Sequence, residues 1–138
     1  MSDPLPQVSH AGIHEVLGVE IVAASTDEVV FELDVTPKVH QPFGILHGGV
    51  SAVLAESTAS VGAYLNCDPE TQYAVGVDLN ITHLRPKRDG RLRATARPVR
   101  KGRSVHVWSI EIEDEQGKMI AVSRCTLAIK DLPSGTKT

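Results

Sequence analysis

The chain has 138 residues, of which 41% are hydrophobic and 22% charged, and its formal net charge at pH 7 is −3. This length suits one domain, and the mildly acidic balance argues against a nucleic-acid-binding protein, which is usually basic. No apolar segment approaches the ~18 residues that a membrane-spanning helix needs, and no signal peptide is recognisable. Two cysteines without metal-ligand spacing, Cys67 and Cys125, are expected to be free thiols in a cytoplasmic protein.

The N-terminal part of the chain predicts a short helix followed by two strands. Residues 10–18 form the candidate helix, and residues 18–24 and 28–35 form the strands, the second by alternation of its apolar side chains. Two prolines and a glycine make residues 36–46 a loop.

One long helix is predicted from Gly48 to Leu65. It is supported by residues at helical spacing, namely Val50, Val53, Leu54, Ser57, Val61 and Tyr64. The segment is rich in alanine and other small residues, so it can pack closely into the concave side of a sheet.

The chain after this helix consists of four predicted strands joined by short turns: residues 73–85, 91–100, 104–114 and 118–129. Short turns join antiparallel neighbours, so the prediction is an α+β fold with one helix against a curved antiparallel sheet. A single sheet has open edges and an uncovered face, and we therefore expect at least a dimer.

Basic residues are concentrated between residues 85 and 103, which hold nine of the fourteen lysines and arginines. Such a cluster on an acidic protein can bind an anionic ligand. It can equally be the solvated face of a strand, and the sequence alone leaves both interpretations open.

The start of the long helix has the features of an oxygen-binding site. Backbone N–H groups at a helix start have no partner within the helix, and the helix dipole adds partial positive charge there. Gly48 and Gly49 allow a ligand to approach this backbone closely, which suits an oxygen that develops negative charge. The alternative is that the glycines only form a tight corner.

Glu56 lies on the same helix among Val53, Leu54 and Ala55. A carboxylate on a partly apolar face loses hydration, which suits a base or nucleophile, although Glu56 can instead occupy the solvated face. Gly48 and Glu56 are separated by ~12 Å along the helix axis, because the rise is ~1.5 Å per residue. To act on one atom, they must come from different subunits, with the two helices antiparallel across a twofold axis.

Four polar or aromatic neighbours are further candidates, and three of them have a structural alternative. Ser60, one turn after Glu56, can bind the carboxylate or a water, or simply be small enough to pack. Gln41 can donate to a carbonyl oxygen, and His47 can donate or relay a proton or make a structural hydrogen bond. Phe43 can contact an acyl group or anchor its loop.

The segment HQPFGILHGGVSAVLAESTASVGAYL (40–65) resembles the hotdog-fold acyl-CoA thioesterases. Within them it is similar to the branch with the phenylacetate-pathway and glutamate-type 4-hydroxybenzoyl-CoA thioesterases, and most of all to the enterobactin and menaquinone pathway thioesterases. The similarity continues through VGVDLNITHLRP and GRSVHVWSIEIEDEQGK and covers about residues 15–130.

This resemblance implies a hotdog fold, in which a curved antiparallel sheet of five to six strands wraps the long central helix. We expect one such domain over residues 1–138, with flexible ends at 1–9 and 131–138. The family's active sites lie at dimer interfaces, and two dimers commonly form a tetramer, so a homodimer and a homotetramer are expected here. No metal or other cofactor is implied, since coenzyme A is part of the substrate, and neither nucleic acid nor membrane is an expected partner.

The resemblance also implies roles for individual residues. Glu56 attacks the thioester carbon or activates water, and the Gly48 N–H polarises the thioester carbonyl with help from Gln41. His47 contacts the thioester or the leaving group, and Ser60 places water near Glu56.

Family members bind the CoA nucleotide at the surface through basic and hydroxyl groups. The corresponding positions here are Arg85, Arg103 and Ser104, with His83 and Arg88 as weaker candidates. Val61 is expected to help shape the acyl pocket.

Two other functions fit the same fold: a non-catalytic acyl-CoA-binding protein and a hydratase or dehydratase. The first has no need of Glu56, and the second relies on a histidine near the helix. Aromatic acyl groups are favoured by the resemblance, but phenylacetyl, hydroxybenzoyl, dihydroxynaphthoyl and medium-chain fatty acyl groups all remain open. The sequence also leaves open whether the substrate is a CoA or a carrier-protein thioester, and whether the reaction uses an anhydride intermediate or direct attack by water.

Overall fold

The computed structural model describes residues 12–133 and confirms the predicted hotdog architecture. In chain order its elements are α1 (Ile13–Leu17), β1 (Glu20–Ala24), β2 (Val29–Asp34), a 3-10 turn (Pro37–Val39), α2 (Gly48–Leu65), β3 (Gln72–His83), β4 (Arg91–Lys101), β5 (Val105–Asp114) and β6 (Met119–Asp131). The bounds of α2 agree with the prediction. No helix in the described part is both long and apolar enough to cross a membrane.

Six strands form one sheet in the order β1-β2-β4-β5-β6-β3, and all neighbours are antiparallel. The short turns between β4, β5 and β6 produce the adjacent pairs that the sequence predicts. After α2, however, the chain enters β3 at the far edge of the sheet, next to β6. The helix therefore crosses the concave face, and β3 is left as an edge strand.

The inner face of α2 is made of small residues. Its buried positions are Ser51, Leu54, Ala55, Thr58, Ala59, Val61, Gly62 and Ala63. The fully buried Trp108 of β5 lies against Gly62, where an added Cβ would be 2.5 Å from the ring. The large side chains of the sheet thus require small partners on the helix. Of the predicted helical face, Val50, Val53, Ser57 and Tyr64 are only half-buried in the protomer.

Five of the nine residues of the basic cluster form ion pairs, and four of these five lie on β4. Arg91 binds Glu20, Glu32 and Asp34, and Arg93 shares Glu32. The remaining pairs are Arg97–Glu28, Lys101–Asp27 and Lys87–Glu115. These contacts favour the interpretation of a strand face for the four paired residues of β4, whereas Lys87 is buried in the loop before that strand. The other four basic residues of the cluster form no ion pair within residues 12–133; they are Arg85, Arg88, Arg100 and Arg103.

The last strand extends two residues beyond its predicted end. Asp131 is the last residue of β6 and pairs with Gln72 of β3. The N–H of Leu132 then donates to the carbonyl of Thr71 at 2.8 Å. The last strand was predicted to end at residue 129, whereas β6 runs to Asp131, because β3 is long enough to pair with it. The flexibility of residues 131–138 stays a prediction. The expectation for residues 1–9 and for 134–138 lies outside the described residues.

Candidate active site

A network of backbone hydrogen bonds fixes the loop that leads into α2. The Gln41 N–H donates to the Ile45 carbonyl at 2.8 Å, and the Leu46 N–H donates to the Lys87 carbonyl at 2.7 Å. The His47 N–H donates to the Val39 carbonyl at 2.9 Å. The first turn of α2 is thus held from both sides before any ligand binds.

His47 is the N-cap residue of α2. Its Nδ1 accepts a hydrogen bond from the Gly49 N–H at 2.8 Å, so the neutral ring carries its proton on Nε2. The Val50 N–H donates to the His47 carbonyl at 3.0 Å. Among the hydrogen bonds of residues 12–133, none engages the Gly48 N–H. Gly48, rather than Gly49, therefore presents the free donor of the helix start.

A pocket of about 320 Å³ opens at this helix start. It is lined by Gln41, Ile45, Leu46, Gly48, Ser51, His83, Leu84, Arg85, Pro86 and Lys87. Four residues predicted from the sequence meet here: Gln41, Gly48, His83 and Arg85. The imidazole of His83 lies directly against Gly48, because a Cβ at Gly48 would be 2.7 Å from its Nε2.

The side-chain amide of Gln41 is oriented by its own loop. Its Oε1 accepts a hydrogen bond from the Phe43 N–H. The carbonyl end of the amide is therefore engaged, and the NH₂ end remains as a donor for a second oxygen. Phe43 itself is 86% exposed and does not line the pocket.

Glu56 lies elsewhere on the protomer. Its side chain is exposed and rests on Gly76 of β3, where an added Cβ would be 3.0 Å from Oε1. Gly76 stands at a register shift of β3, between Gly76 and Asp78. Glu56 does not line the pocket at the start of its own helix. One protomer therefore presents an N–H donor and a carboxylate at two separate places.

The comparisons with known proteins agree with this arrangement of helix and sheet. The family model described as the thioesterase superfamily matches residues 43–121. This chain belongs to the thioesterase superfamily. The matched residues include Glu56 and every lining residue of the helix-start pocket except Gln41.

Relatives of this thioesterase are similar over most of their length. A 1,4-dihydroxy-2-naphthoyl-CoA hydrolase of Listeria monocytogenes is 47% identical over 86% of this chain and 96% of its own. The crystal structure of a mutant thioesterase of Pseudomonas aeruginosa has a TM-score of 0.84 at 40% identity, covering 87% of this chain and 86% of that one.

A thioesterase of Staphylococcus aureus has been solved in two variants, one with a glutamine and one with a glutamate replaced by alanine. Their TM-scores are 0.82 and 0.83 at 38% and 39% identity. The alignments with the two structures cover 84% and 86% of this chain, and 96% and 98% of the Staphylococcus aureus chains. Together the relatives show that this protein is an enzyme, a thioester hydrolase, which makes the non-catalytic and hydratase alternatives unnecessary.

The other predicted residues of this thioesterase lie apart from the helix-start pocket. Ser60 is half-buried and Val61 buried on α2, and Arg88 is exposed, with its carbonyl accepting from His40 at 2.7 Å. Arg103 lines a second pocket of about 350 Å³ at the other end of α2. The carbonyl of Ser104 accepts from the Ile129 N–H at 2.9 Å.

The second pocket also contains a buried histidine that the sequence analysis did not identify. Nδ1 of His106 accepts a hydrogen bond from the indole N–H of Trp108 at 3.2 Å. Burial, and to a lesser degree the charge of Lys101, lowers the pKa of His106 below its ordinary value. The ring is therefore neutral at pH 7, and the cationic groups of this pocket are Lys101 and Arg103.

Two further residues of the site were not identified from the sequence. Gly76 supports the Glu56 carboxylate, and the signal for it was a glycine inside a strand, which often marks a bulge or a close approach. Ser51 lines the helix-start pocket and carried no recognisable signal beyond its place three residues after Gly48.

The buried thiol of Cys125 is influenced by the charge of the Glu56 carboxylate. The pKa of Cys125 is raised to about 12, chiefly by burial and further by the negative charges of Glu56 and Asp78. Burial also raises the pKa of Cys67. Cys125 therefore stays protonated at a pH where a free cysteine is partly thiolate, and the pKa of Cys67 is shifted in the same direction.

We expect the folded protein to react slowly with a disulfide reagent at about pH 8, because only the thiolate is nucleophilic. The absorbance of the released reagent measures the rate, and both thiols should react rapidly after denaturation. A Cys67→Ser variant isolates Cys125. Rapid labelling of Cys125 in the folded variant would contradict its protonated, enclosed state, and slow labelling means that CoA release can be followed with the same reagent.

Proposed function

We propose that this thioesterase is a homodimer that hydrolyses an aromatic acyl-CoA to the free acid and CoA. In each site, Gly48 and Gln41 of one protomer bind the thioester carbonyl and Glu56 of the other carries out the attack. The observation that carries the proposal is the unengaged Gly48 N–H in a pocket that does not contain Glu56.

The helix-start pocket suits the thioester carbonyl. Its oxygen gains negative charge as the carbonyl carbon becomes tetrahedral, and a fixed N–H donor at a helix start stabilises that charge. The NH₂ group of Gln41 is available as a second donor, since Phe43 already engages the other end of the amide. The hydrogen bonds of the loop hold both donors before the substrate arrives, which avoids reorganisation during the reaction.

The position of Glu56 supports a site shared by two protomers. Along α2 it is ~12 Å from Gly48, farther than a glutamate side chain reaches. Its carboxylate is exposed on the protomer, next to Gly76 of the edge strand β3. A second protomer that covers this surface with its own helix start would place its Gly48 opposite Glu56.

The edge strand β3 provides a suitable dimer interface. Its backbone pairs with β6 on one side only. Apolar side chains remain exposed along it, including Val75 at 40% and Val77 at 65% exposure. Pairing with β3 of a second copy would satisfy the free edge and cover these valines. Two such dimers would form the proposed tetramer.

Two routes of attack by Glu56 are consistent with this geometry. The carboxylate can add to the carbonyl carbon and expel CoA thiolate, leaving a mixed anhydride that water hydrolyses. Alternatively it takes a proton from water, whose oxygen attacks the carbon as the C–S bond breaks. Ser60, one turn along the same helix, is proposed to hold the water, and the Nε2–H of His47 to face the thioester or the leaving group. Neither route needs a cofactor, and a single turnover in oxygen-18 water distinguishes them by label in Glu56.

Arginines without ion pairs are proposed to bind the CoA phosphates. Arg85 lines the helix-start pocket beside His83. Arg103 lies in the second pocket with Lys101, next to Ser104. Arg88 is exposed and does not line the helix-start pocket, but it directly follows Lys87, which does. Guanidinium groups match phosphate oxygens in charge and geometry, so these residues suit the nucleotide end of CoA.

The preference for an aromatic acyl group is supported by size and by similarity. A pocket of about 320 Å³ is at the small end for ligand sites and suits a compact acyl group rather than a whole CoA. The Listeria monocytogenes relative is named for an aromatic acyl-CoA.

The choice of Gln41 and Glu56 is supported by their spacing. The glutamine and the glutamate that were replaced in the Staphylococcus aureus thioesterase are as far apart in sequence as Gln41 and Glu56.

Mixing two inactive variants tests the shared site. In a hybrid dimer of Glu56→Gln and Gly48→Ala, one site has both residues intact and the other has neither. Random mixing should restore roughly a quarter of the wild-type activity, since half of the dimers are hybrids with one working site each. Thiol detection of CoA measures the activity, and native mass spectrometry confirms the hybrids. Hybrids that form without any recovery, or a monomer that is fully active, would contradict the proposal.

A further inference from the structure

Ser51 carries a buried hydroxyl group that makes no hydrogen bond. The residue is 1% exposed, and within residues 12–133 its Oγ is the one buried side-chain oxygen or nitrogen without a partner. Burying a hydroxyl without a hydrogen bond is unfavourable, and such groups are rare in native proteins. The hydroxyl is therefore unexplained by folding alone.

Thr58 on the same helix shows that α2 can satisfy such a group. It is also fully buried, and its hydroxyl donates to the carbonyl of Leu54, four residues earlier. The corresponding carbonyl for Ser51 belongs to His47 and already accepts from the Val50 N–H at 3.0 Å. Ser51 does not use it. Of the two buried hydroxyl residues of α2, Ser51 and Thr58, only Ser51 lacks a partner.

The hydroxyl of Ser51 belongs to the helix-start pocket. Ser51 lines that pocket together with Gly48 and follows it by three residues, so both lie on one face of the helix. Helix side chains lean toward the N-terminus, which brings the hydroxyl beside the turn of Gly48. Much of the remaining lining is apolar, including Ile45 and Leu84. Rotation about a single torsion, χ1, turns the hydroxyl toward a ligand.

We propose that Ser51 determines specificity by binding a hydroxyl group on the acyl ring, ortho to the thioester carbonyl. This inference rests on the proposed function, in which the carbonyl oxygen lies at the Gly48 N–H. An ortho hydroxyl is within about one hydrogen-bond length of that oxygen and is therefore carried to the Ser51 side of the pocket. A ring without it leaves Ser51 unpartnered, and a site with an unpaired buried polar group discriminates against such a substrate.

Three CoA thioesters test this inference on the full-length protein: 2-hydroxybenzoyl-CoA, 4-hydroxybenzoyl-CoA and benzoyl-CoA. We expect the Ser51→Ala variant to lose about 10- to 100-fold in kcat/KM for 2-hydroxybenzoyl-CoA and less than about 3-fold for the other two. Thermal stability should be unchanged or higher, because the unpartnered hydroxyl is removed. The matched control Thr58→Val removes a bonded hydroxyl outside the pocket and should lower the melting temperature without changing the preference among substrates.

Two results would overturn the inference while leaving the proposed function intact. One is an unchanged preference in Ser51→Ala, and the other is an equal loss on all three thioesters, which would mean that Ser51 acts on the thioester itself or on folding. If the wild type hydrolyses none of the three, the proposed aromatic function is what fails. Calorimetry with non-hydrolysable thioether analogues then tests Ser51 separately: a lost preference for the ortho-hydroxyl analogue supports its role, and an equal affinity of both proteins contradicts it.

Discussion

The Glu56→Gln variant is expected to release CoA about 10²- to 10⁴-fold more slowly than the wild type, the range typical of losing a general base, while still binding substrate. Glutamine has nearly the same shape but neither attacks a thioester nor accepts a proton from water. Because Glu56 is exposed in the protomer and rests on Gly76, the change removes no buried ion pair of the described chain and should leave the fold intact.

The measurement combines turnover and binding. Thiol detection gives kcat and KM, and calorimetry with a non-hydrolysable acyl-CoA analogue gives the affinity, which we expect to change less than about 10-fold. Glu111→Gln is the matched control, since Glu111 is an exposed glutamate on β5, outside both pockets. Turnover that is unchanged in Glu56→Gln would show that another group carries out the attack.

The second large effect is expected from Gly48→Ala. A methyl group at this position would be 2.7 Å from Nε2 and 2.9 Å from Cε1 of His83, so the ring or the helix start has to move. The same methyl group stands beside the N–H that we propose binds the carbonyl oxygen. We expect kcat/KM to fall by about 10²- to 10³-fold, as when an enzyme loses one donor to a developing oxyanion.

His83→Ala separates the two contributions of this change. It removes the imidazole but leaves the Gly48 N–H accessible, and we expect it to lose less than about 10-fold in kcat/KM, mainly through KM. Circular dichroism during heating checks that both variants are folded. If Gly48→Ala retained wild-type kcat, or if His83→Ala lost as much as Gly48→Ala, the role assigned to the Gly48 N–H would be wrong.

These two variants act at places that a single protomer keeps apart. The carboxylate lies against the edge strand β3, and the donor lies in the helix-start pocket. Their separation follows from the straightness and rise of α2 and does not depend on the conformation of any side chain. The proposed dimer therefore has a catalytic reason as well as a structural one.

Local features of the sequence were sufficient for the secondary structure. Helical spacing and the segment NCDPET (66–71) placed α2 from Gly48 to Leu65, and short polar turns placed β4, β5 and β6 as antiparallel neighbours. Such signals depend on residues close together in the chain, so they can be read without tertiary contacts. The similarity of residues 40–65 to a known family added the expected roles of Glu56 and Gly48.

The sequence alone does not predict which residues far apart in the chain contact each other. From the sequence, the basic cluster is compatible with an anion-binding site and with a strand face. The structure favours a strand face for Arg91, because this residue contacts three carboxylates from β1 and β2. Likewise, nothing local indicates that β3 pairs with β6 at the sheet edge, which places Gly76 under Glu56 and His83 beside Gly48.

The amino-acid sequence by itself thus determined the helix, the strands and the family, and it supplied the candidate residues for the chemistry. The tertiary structure alone decided which of them meet: Gln41, Gly48, Ser51 and His83 in one pocket, with Glu56 outside it. The physical reason is that periodicity and turn chemistry act over a few residues, whereas a site is assembled from segments that only the packing of helix against sheet brings together.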